Sequence, residues 1–329
     1  MGMRPPSRLR VCVRRAVKCL ALVLFVLLLA GIWLWNDPPS LYRCLVRAGQ
    51  WRAGLTERTV MIQGFSWRVL ETDDAVATAV SSRTVLVLHG LGTSAEAMLP
   101  IASMVPAGAR VVIPDLPGFG DHDSHGALAH DAAFYLDAVH ALQVHERLGV
   151  VDLVGTSMGG ALAAAYAARY PDLVHSLVLL SPAGVTAPVT NTFMKRVIAG
   201  EIPLDIKDEA SLREVLRLNF VHQPPMPPPI REAFIARALE RRANYLRIVE
   251  DLRPFLTTGL EADLANIQTP TLVLYGASDQ LTDPSMLEVF LREMPHAQGV
   301  IIPDAGHVLS YDAPDAVREA MRVFYLALP

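Results

Sequence analysis

Ser157 sits at the centre of Gly155-Thr156-Ser157-Met158-Gly159, after the apolar run 151–154 and before a helix-like stretch, 161–170. A serine hydroxyl becomes a useful nucleophile only when a neighbouring base takes its proton. A G-x-S-x-G on a strand-to-helix turn supplies the exposure such chemistry needs, because the turn lifts the hydroxyl above the sheet edge. Residues two away on either side must then be small, and Gly155 and Gly159 carry no Cβ. The chemistry in view is acyl transfer. The pentapeptide alone describes an ordinary glycine-rich connection equally well, so the remaining parts of the site decide.

Those parts occur in a consistent order. The buried-strand run 84–88 ends in His89-Gly90-Leu91-Gly92. In acyl transfer, charge develops on the carbonyl oxygen, and two backbone N–H groups must receive it. The expected donors are Leu91, in the loop after this strand, and Met158, directly after the nucleophile. Further on, 271–276 reads as a strand followed by Asp279, and 300–302 reads as a strand leading to Asp304 and His307. Ser157, Asp279 and His307 each fall just past a strand's carboxyl end, where open α/β sheets bind ligands. His307 is the expected base and Asp279 the carboxylate that fixes its tautomer. His89 precedes the nucleophile and is read as a brace for the oxyanion loop. Asp283, before Pro284, reads as a helix-start residue, and Asp304 as a turn residue. The other histidines are scattered. There is no H-E-x-x-H and no Cys/His set at ligand spacing, so neither a metal nor another cofactor is expected.

The elements that must position these groups alternate. Strand-like runs at 59–62, 66–71, 84–88, 110–113, 151–154, 176–180, 271–275 and 299–302 are separated, from the third onward, by helical stretches. The first two read as a hairpin turning at Gln63-Gly64, and a last helix covers 313–326. The fold class expected is α/β, with an eight-stranded, mostly parallel sheet and helices on both faces. The alternation lapses over 185–265, which reads as a helical cap inserted in a core of 57–184 and 266–329. Inside it, His222-Gln223-Pro224-Pro225-Met226-Pro227-Pro228-Pro229 reads as a stiff connector between two helices; the alternative is a polyproline ligand for a partner. Phe193, Met194, Val197 and Ile198 recur at helical spacing. They are candidates to line an acyl pocket, and equally candidates to pack the cap on the core.

With these residues in view, the chain resembles the α/β-hydrolase superfamily over nearly everything after residue 55. The resemblance also rests on Ile113-Pro114-Asp115-Leu116-Pro117-Gly118-Phe119-Gly120. Gly155 to Gly160, Tyr166-Ala167-Ala168-Arg169-Tyr170-Pro171 and Ser181-Pro182-Ala183-Gly184 are similar to membrane-anchored monoacylglycerol lipases and related bacterial lipases. That resemblance implies a serine esterase acting on lipid-like carboxylic esters through an acyl-enzyme. Carbon–carbon bond hydrolases and amidases use the same triad and remain the alternative. Haloalkane dehalogenases and epoxide hydrolases carry aspartate where Ser157 stands.

The amino end adds a location. Residues 19–36 are uncharged and rich in Leu and Val, and they include Trp33 and Trp35. Residues 1–18 contain Arg4, Arg8, Arg10, Arg14 and Arg15. A spanning helix needs about 17 to 25 apolar residues. The expectation is a transmembrane signal anchor, with a cleaved signal peptide as its rival. The positive-inside rule then puts the catalytic domain on the periplasmic side of a bacterial-type inner membrane. Residues 37–56 read as a linker with an amphipathic helix over 41–55, its Arg43, Arg47 and Arg52 suited to lipid headgroups. The net charge of −4 gives no reason to expect nucleic acid. Cys12, Cys19 and Cys44 are the only cysteines, so a thiol nucleophile after residue 44 is excluded.

Overall fold

The structure, a computed structural model, describes residues 31–33, 35–72, 83–120 and 130–328. Of the expected spanning segment, 19–36, residues 19–30 and 34 lie outside the described residues. Among the described residues no helix is long and apolar enough to cross a membrane.

Eight strands form one sheet: β1 (Leu55–Ile62), β2 (Phe65–Thr72), β3 (Thr84–Leu88), β4 (Arg110–Pro114), β5 (Val151–Thr156), β6 (Val174–Leu180), β7 (Thr271–Gly276) and β8 (Ala297–Ile302). Their spatial order is β1-β2-β4-β3-β5-β6-β7-β8. β2 runs antiparallel to β1 and β4, and all other pairings are parallel. β3 shows why the strands form. It is buried along its whole length, with Val85 and Val87 in one apolar cluster and Leu86 and Leu88 in the other. Side chains alternate across a strand, so a continuous apolar run fits only a sheet covered on both faces.

Among the described residues, helices of seven residues or more are α1 (Pro38–Arg52), α2 (Ala132–His145), α3 (Met158–Arg169), α4 (Thr192–Ile198), α5 (Glu209–Asn219), α6 (Pro228–Pro254), α7 (Met286–Glu293) and α8 (Pro314–Ala327). α3 starts directly after the Ser157 turn and is buried from Met158 to Ala167. Its alanines and glycines let it press close to β5 and β6. α1 starts and ends three residues earlier than the sequence pattern suggests. The Asp37 carboxylate accepts the Ser40 N–H at 3.4 Å, and Leu55 is taken by β1, which pairs with β2 from Leu55↔Thr72 onward. α1 packs against α6, and the Arg237 guanidinium lies 6.0 Å from the centre of the Tyr42 ring.

α4, α5 and α6 lie between β6 and β7 in the chain. The proline-rich segment joins α5 to α6. Pro227 is extended (φ −63°, ψ 157°), and Pro228 and Pro229 occupy the first turn of α6, where a missing N–H costs nothing. α6 runs into a π-helical turn, Phe255–Gly259. That turn is tied to the loop after β6, since Gly184 N–H donates to the Leu256 carbonyl at 2.9 Å and Leu260 N–H to the Gly184 carbonyl at 3.0 Å.

Candidate active site

β3 and β5 are the pair at which the chain order reverses across the sheet, the crevice position of open α/β folds. Ser157 stands between β5 and α3 with φ 55° and ψ −116°. Such a conformation costs a non-glycine residue roughly 1–3 kcal/mol and persists only where its surroundings hold it. They do so here: Ser157 N–H donates to the Leu180 carbonyl at 2.9 Å, and the Ser157 carbonyl accepts from Ala161 at 3.0 Å and Ala183 at 3.2 Å. The flanking glycines are sterically required. A Cβ on Gly155 would run into the Gly159 carbonyl, and one on Gly159 into the carbonyls of Leu88 and His89.

His307 lies past the end of β8 and is buried. Its Nδ1 lies 2.9 Å from Asp279 Oδ2, so Nδ1 carries the proton and Nε2 is the basic nitrogen. The Asp279 carboxylate lies past the end of β7 and is fully enclosed. Oδ1 accepts the N–H groups of Leu281 (2.8 Å) and Thr282 (3.0 Å). Oδ2 accepts the Thr282 hydroxyl at 2.8 Å as well as His307. A buried carboxylate needs such partners. The two loops meet closely because Gly276 has no side chain: the carbonyls of Ala305 and Gly306 fill the place of its Cβ.

His89 is wholly buried. Its Nε2 accepts the Leu116 N–H at 2.9 Å, so its Nδ1 carries the proton and donates to the Gly90 carbonyl at 2.9 Å. Burial pushes its pKa below the ordinary imidazole value, against the pull of Asp115 and Glu96. A neutral ring in this tautomer ties the Gly90 loop to the β4 loop. The Thr93 hydroxyl also donates to the Gly90 carbonyl, at 2.8 Å. Leu91 is thereby held beside Ser157, and a Cβ on Gly90 would touch that of Ser157 at 3.4 Å.

One cavity, about 1090 Å³ of empty space counted to its open mouth, brings the predicted residues together. Ser157, Met158, Leu91, His307, Phe193 and Met194 all line it, and Asp279 stands behind His307. Val197 lines it too. Ile198 does not: it is 72% exposed, because α4 turns that residue outward. Asp283 accepts the Ser285 N–H ahead of α7, and Asp304 occupies a left-handed turn (φ 59°).

Two contributors escaped the sequence reading. The Thr282 hydroxyl bridges Asp279 to the Ser181 carbonyl (3.3 Å) and also lies 3.1 Å from His307 Nδ1. The Asp312 carboxylate accepts from Gly306 (2.8 Å), Val221 (2.9 Å) and His222 (3.0 Å). It thus fastens the His307 loop to the segment after α5. The only available hints were position, three residues after Asp279 and five after His307.

This geometry has a match among known proteins. Residues 85–320 fit the model of the alpha/beta hydrolase family, and the chain belongs to that family. Among its relatives, Lipase 1 of Psychrobacter immobilis is 28% identical over 254 residues, covering 74% of this chain and 77% of that protein. Monoacylglycerol lipase abhd6-B of Xenopus laevis is 27% identical over 263 residues, 74% of this chain and 76% of its own. A crystal structure of a bacterial membrane phospholipase A superposes with a TM-score of 0.83 at 30% identity, covering 95% of this chain and 99% of that one.

Proposed function

We propose that this protein is a membrane-anchored serine lipase that hydrolyses single-chain carboxylic esters of the monoacylglycerol type. Ester hydrolysis is the coarser part of this reading, supported by the family and by the lipase relatives. The observation that carries the finer part is the buried His307–Asp279 pair at 2.9 Å, which shares a largely apolar cavity with a serine held in a left-handed turn. In the proposed cycle, Ser157 Oγ attacks the ester carbonyl while His307 Nε2 takes its proton. The N–H groups of Leu91 and Met158 receive the developing oxyanion. The alcohol leaves with the proton from His307, and an acyl-Ser157 remains. A water then gives a proton to His307 and attacks the acyl carbonyl; the bond to Ser157 breaks, Ser157 Oγ takes the proton back from His307, and the acid is released. Phe193, Met194 and Val197 enclose the acyl chain.

The anchor is supported by the apolar run 19–36 and by the aromatic and basic residues at its carboxyl end. Trp33, Trp35 and Trp51 are more than half exposed, and Arg43, Arg47 and Arg52 lie on α1. Aromatic rings and cations of this kind favour a bilayer interface. The catalytic domain is proposed to face the periplasm.

The test is labelling of the full chain by a serine-directed fluorophosphonate, together with turnover of monoacylglycerols of graded chain length. One label at Ser157 and saturable ester turnover are expected, both absent in Ser157→Ala. Labelling that survives in Ser157→Ala would overturn the assignment. Hydrolysis of a vinylogous diketone without any ester would replace it with carbon–carbon bond cleavage. Membrane fractionation with protease accessibility in spheroplasts tests the anchor and its orientation.

A further inference from the structure

In the proposed cycle the Leu91 N–H receives the oxyanion, and Leu91 stands between two glycines, Gly90 and Gly92. His89 and Thr93 hold the Gly90 side of that loop. The Gly92 side is met by α6. Gly92 is left-handed (φ 71°), and the place its Cβ would take lies 3.1 Å from Tyr245 Cε2 and 3.8 Å from Cδ2 and Cζ. The edge of the Tyr245 ring therefore rests where another residue would carry a side chain. A glycine has several backbone conformations of similar energy open to it. A ring in contact removes those that swing Gly92 toward α6.

The ring is itself fixed. Tyr245, Ile248 and Leu252 fall at i, i+3 and i+7, one face of a helix. Ile248 and Leu252 are fully buried in the apolar cluster against which Tyr245 and Leu91 both pack. Polar ties bracket this face. Asn244 Nδ2 donates to the Gly118 carbonyl at 3.1 Å, and the Asp251 carboxylate accepts the His130 N–H at 2.8 Å. Gly118 belongs to the loop after β4, whose Leu116 N–H donates to His89 Nε2. α6 thus reaches the Leu91 loop twice, through the ring on Gly92 and through the β4 loop on His89. Among the described residues the Tyr245 hydroxyl has no hydrogen-bond partner, so the ring carries the contact.

We propose that Tyr245 is a positioning residue for the oxyanion hole: its ring holds the Gly92 side of the loop, so that the Leu91 N–H stays aimed at the carbonyl oxygen of an acyl group on Ser157. α6 is then part of what makes the reaction fast, and not only a cover over the pocket. This rests on the serine-hydrolase reading and deepens it. Stabilisation of this kind is steep in distance, and a misplacement of about 1 Å costs on the order of 10²-fold.

Tyr245 also lines the cavity, so the probes are ones without a long acyl chain: p-nitrophenyl acetate as substrate and trifluoroacetophenone as inhibitor. Ser157 Oγ adds to the ketone carbonyl, His307 Nε2 takes the hydroxyl proton, and the carbonyl oxygen becomes an oxyanion that needs the same two N–H donors. With the full chain in non-ionic detergent, Tyr245→Leu is expected to lower kcat at least tenfold with KM changed less than threefold. The inhibition constant of the ketone should rise by the factor that kcat/KM falls. Tyr245→Phe keeps the ring and should recover most of the loss in both. Thermal unfolding is followed in every variant, and Tyr245→Met serves if Tyr245→Leu does not fold. A melting temperature that drops while kcat and ketone inhibition hold would show that the ring only packs α6 on the core, and the proposal fails. Equal losses in Tyr245→Phe and Tyr245→Leu would give the effect to the hydroxyl and overturn it too. A wild-type chain that neither turns over the ester nor binds the ketone would instead sink the serine-hydrolase reading, and this proposal with it.

Discussion

Asp279→Asn changes one atom in the most enclosed part of the site, and the surrounding donors dictate where that atom goes. The Asp279 Oδ1 position receives two backbone N–H groups, from Leu281 and Thr282. An amide nitrogen there would leave two buried donors unpaired, at about 1–3 kcal/mol each. The amide oxygen therefore stays at Oδ1, and the NH2 replaces Oδ2, 2.8 Å from the Thr282 hydroxyl and 2.9 Å from His307 Nδ1. Thr282 tolerates the change, because its proton has the Ser181 carbonyl as a second acceptor, at 3.3 Å. His307 does not. Its Nδ1 must become the acceptor, so its proton moves to Nε2, and the ring can no longer take the proton of Ser157. A wrong-tautomer triad of this kind loses roughly 10⁴ in kcat, about 5.5 kcal/mol of transition-state stabilisation. The assay is kcat/KM on a p-nitrophenyl ester, with the fluorophosphonate labelling rate and thermal unfolding alongside. Activity and labelling should fall together while the melting temperature moves by only a few degrees. A loss under tenfold in a folded variant would refute the reasoning.

Three further outcomes rest on the same contacts. Gly159→Ala forces a methyl against the carbonyls of Leu88 and His89; overpacking of this severity should cost about 3 kcal/mol and lower the melting temperature by about 6 °C or more, and an unchanged melt would remove the steric role. His89 is held neutral by burial, so its folded pKa lies below its unfolded value of 6.5. Its contribution is complete above pH 6.5 and is lost as pH falls toward the folded pKa, by up to about 1.4 kcal/mol per pH unit. His89→Asn should flatten the pH dependence of unfolding free energy between pH 6.5 and 5, and an unaltered slope would contradict it. Met194→Trp fills part of the cavity that Met194 lines. It should lower kcat/KM for long acyl chains at least tenfold more than for acetyl esters; an equal effect on both would place the acyl chain elsewhere.

What was legible in the sequence was local. The Ser157 turn announces itself because the glycines needed on both sides lie within five residues. Buried strands such as β3 read as apolar runs because both faces of the sheet are covered. Asp279 and His307 could be proposed because each comes just after a strand. Thr282 and Asp312 were not legible, since their importance lies in partners far along the chain: Ser181 for the first, Val221 and His222 for the second. Ile198 shows the limit of periodicity. It shares helical spacing with Met194, yet the rotation of α4 against the core sends one inward and the other to solvent. The bounds of α1 were misjudged because β1 captures Leu55, a pairing decided by β2 rather than by residues beside it.

β8 is the outermost strand on its side of the sheet and is hydrogen-bonded to β7 alone. Val300 and Ile301 on it are 39% and 41% exposed. His307 hangs from the end of that strand. Fraying at this margin would displace the proton acceptor while seven strands and both apolar clusters remained assembled. Enzymatic turnover consequently gauges the integrity of one border of the molecule more sharply than circular dichroism, which averages over the whole.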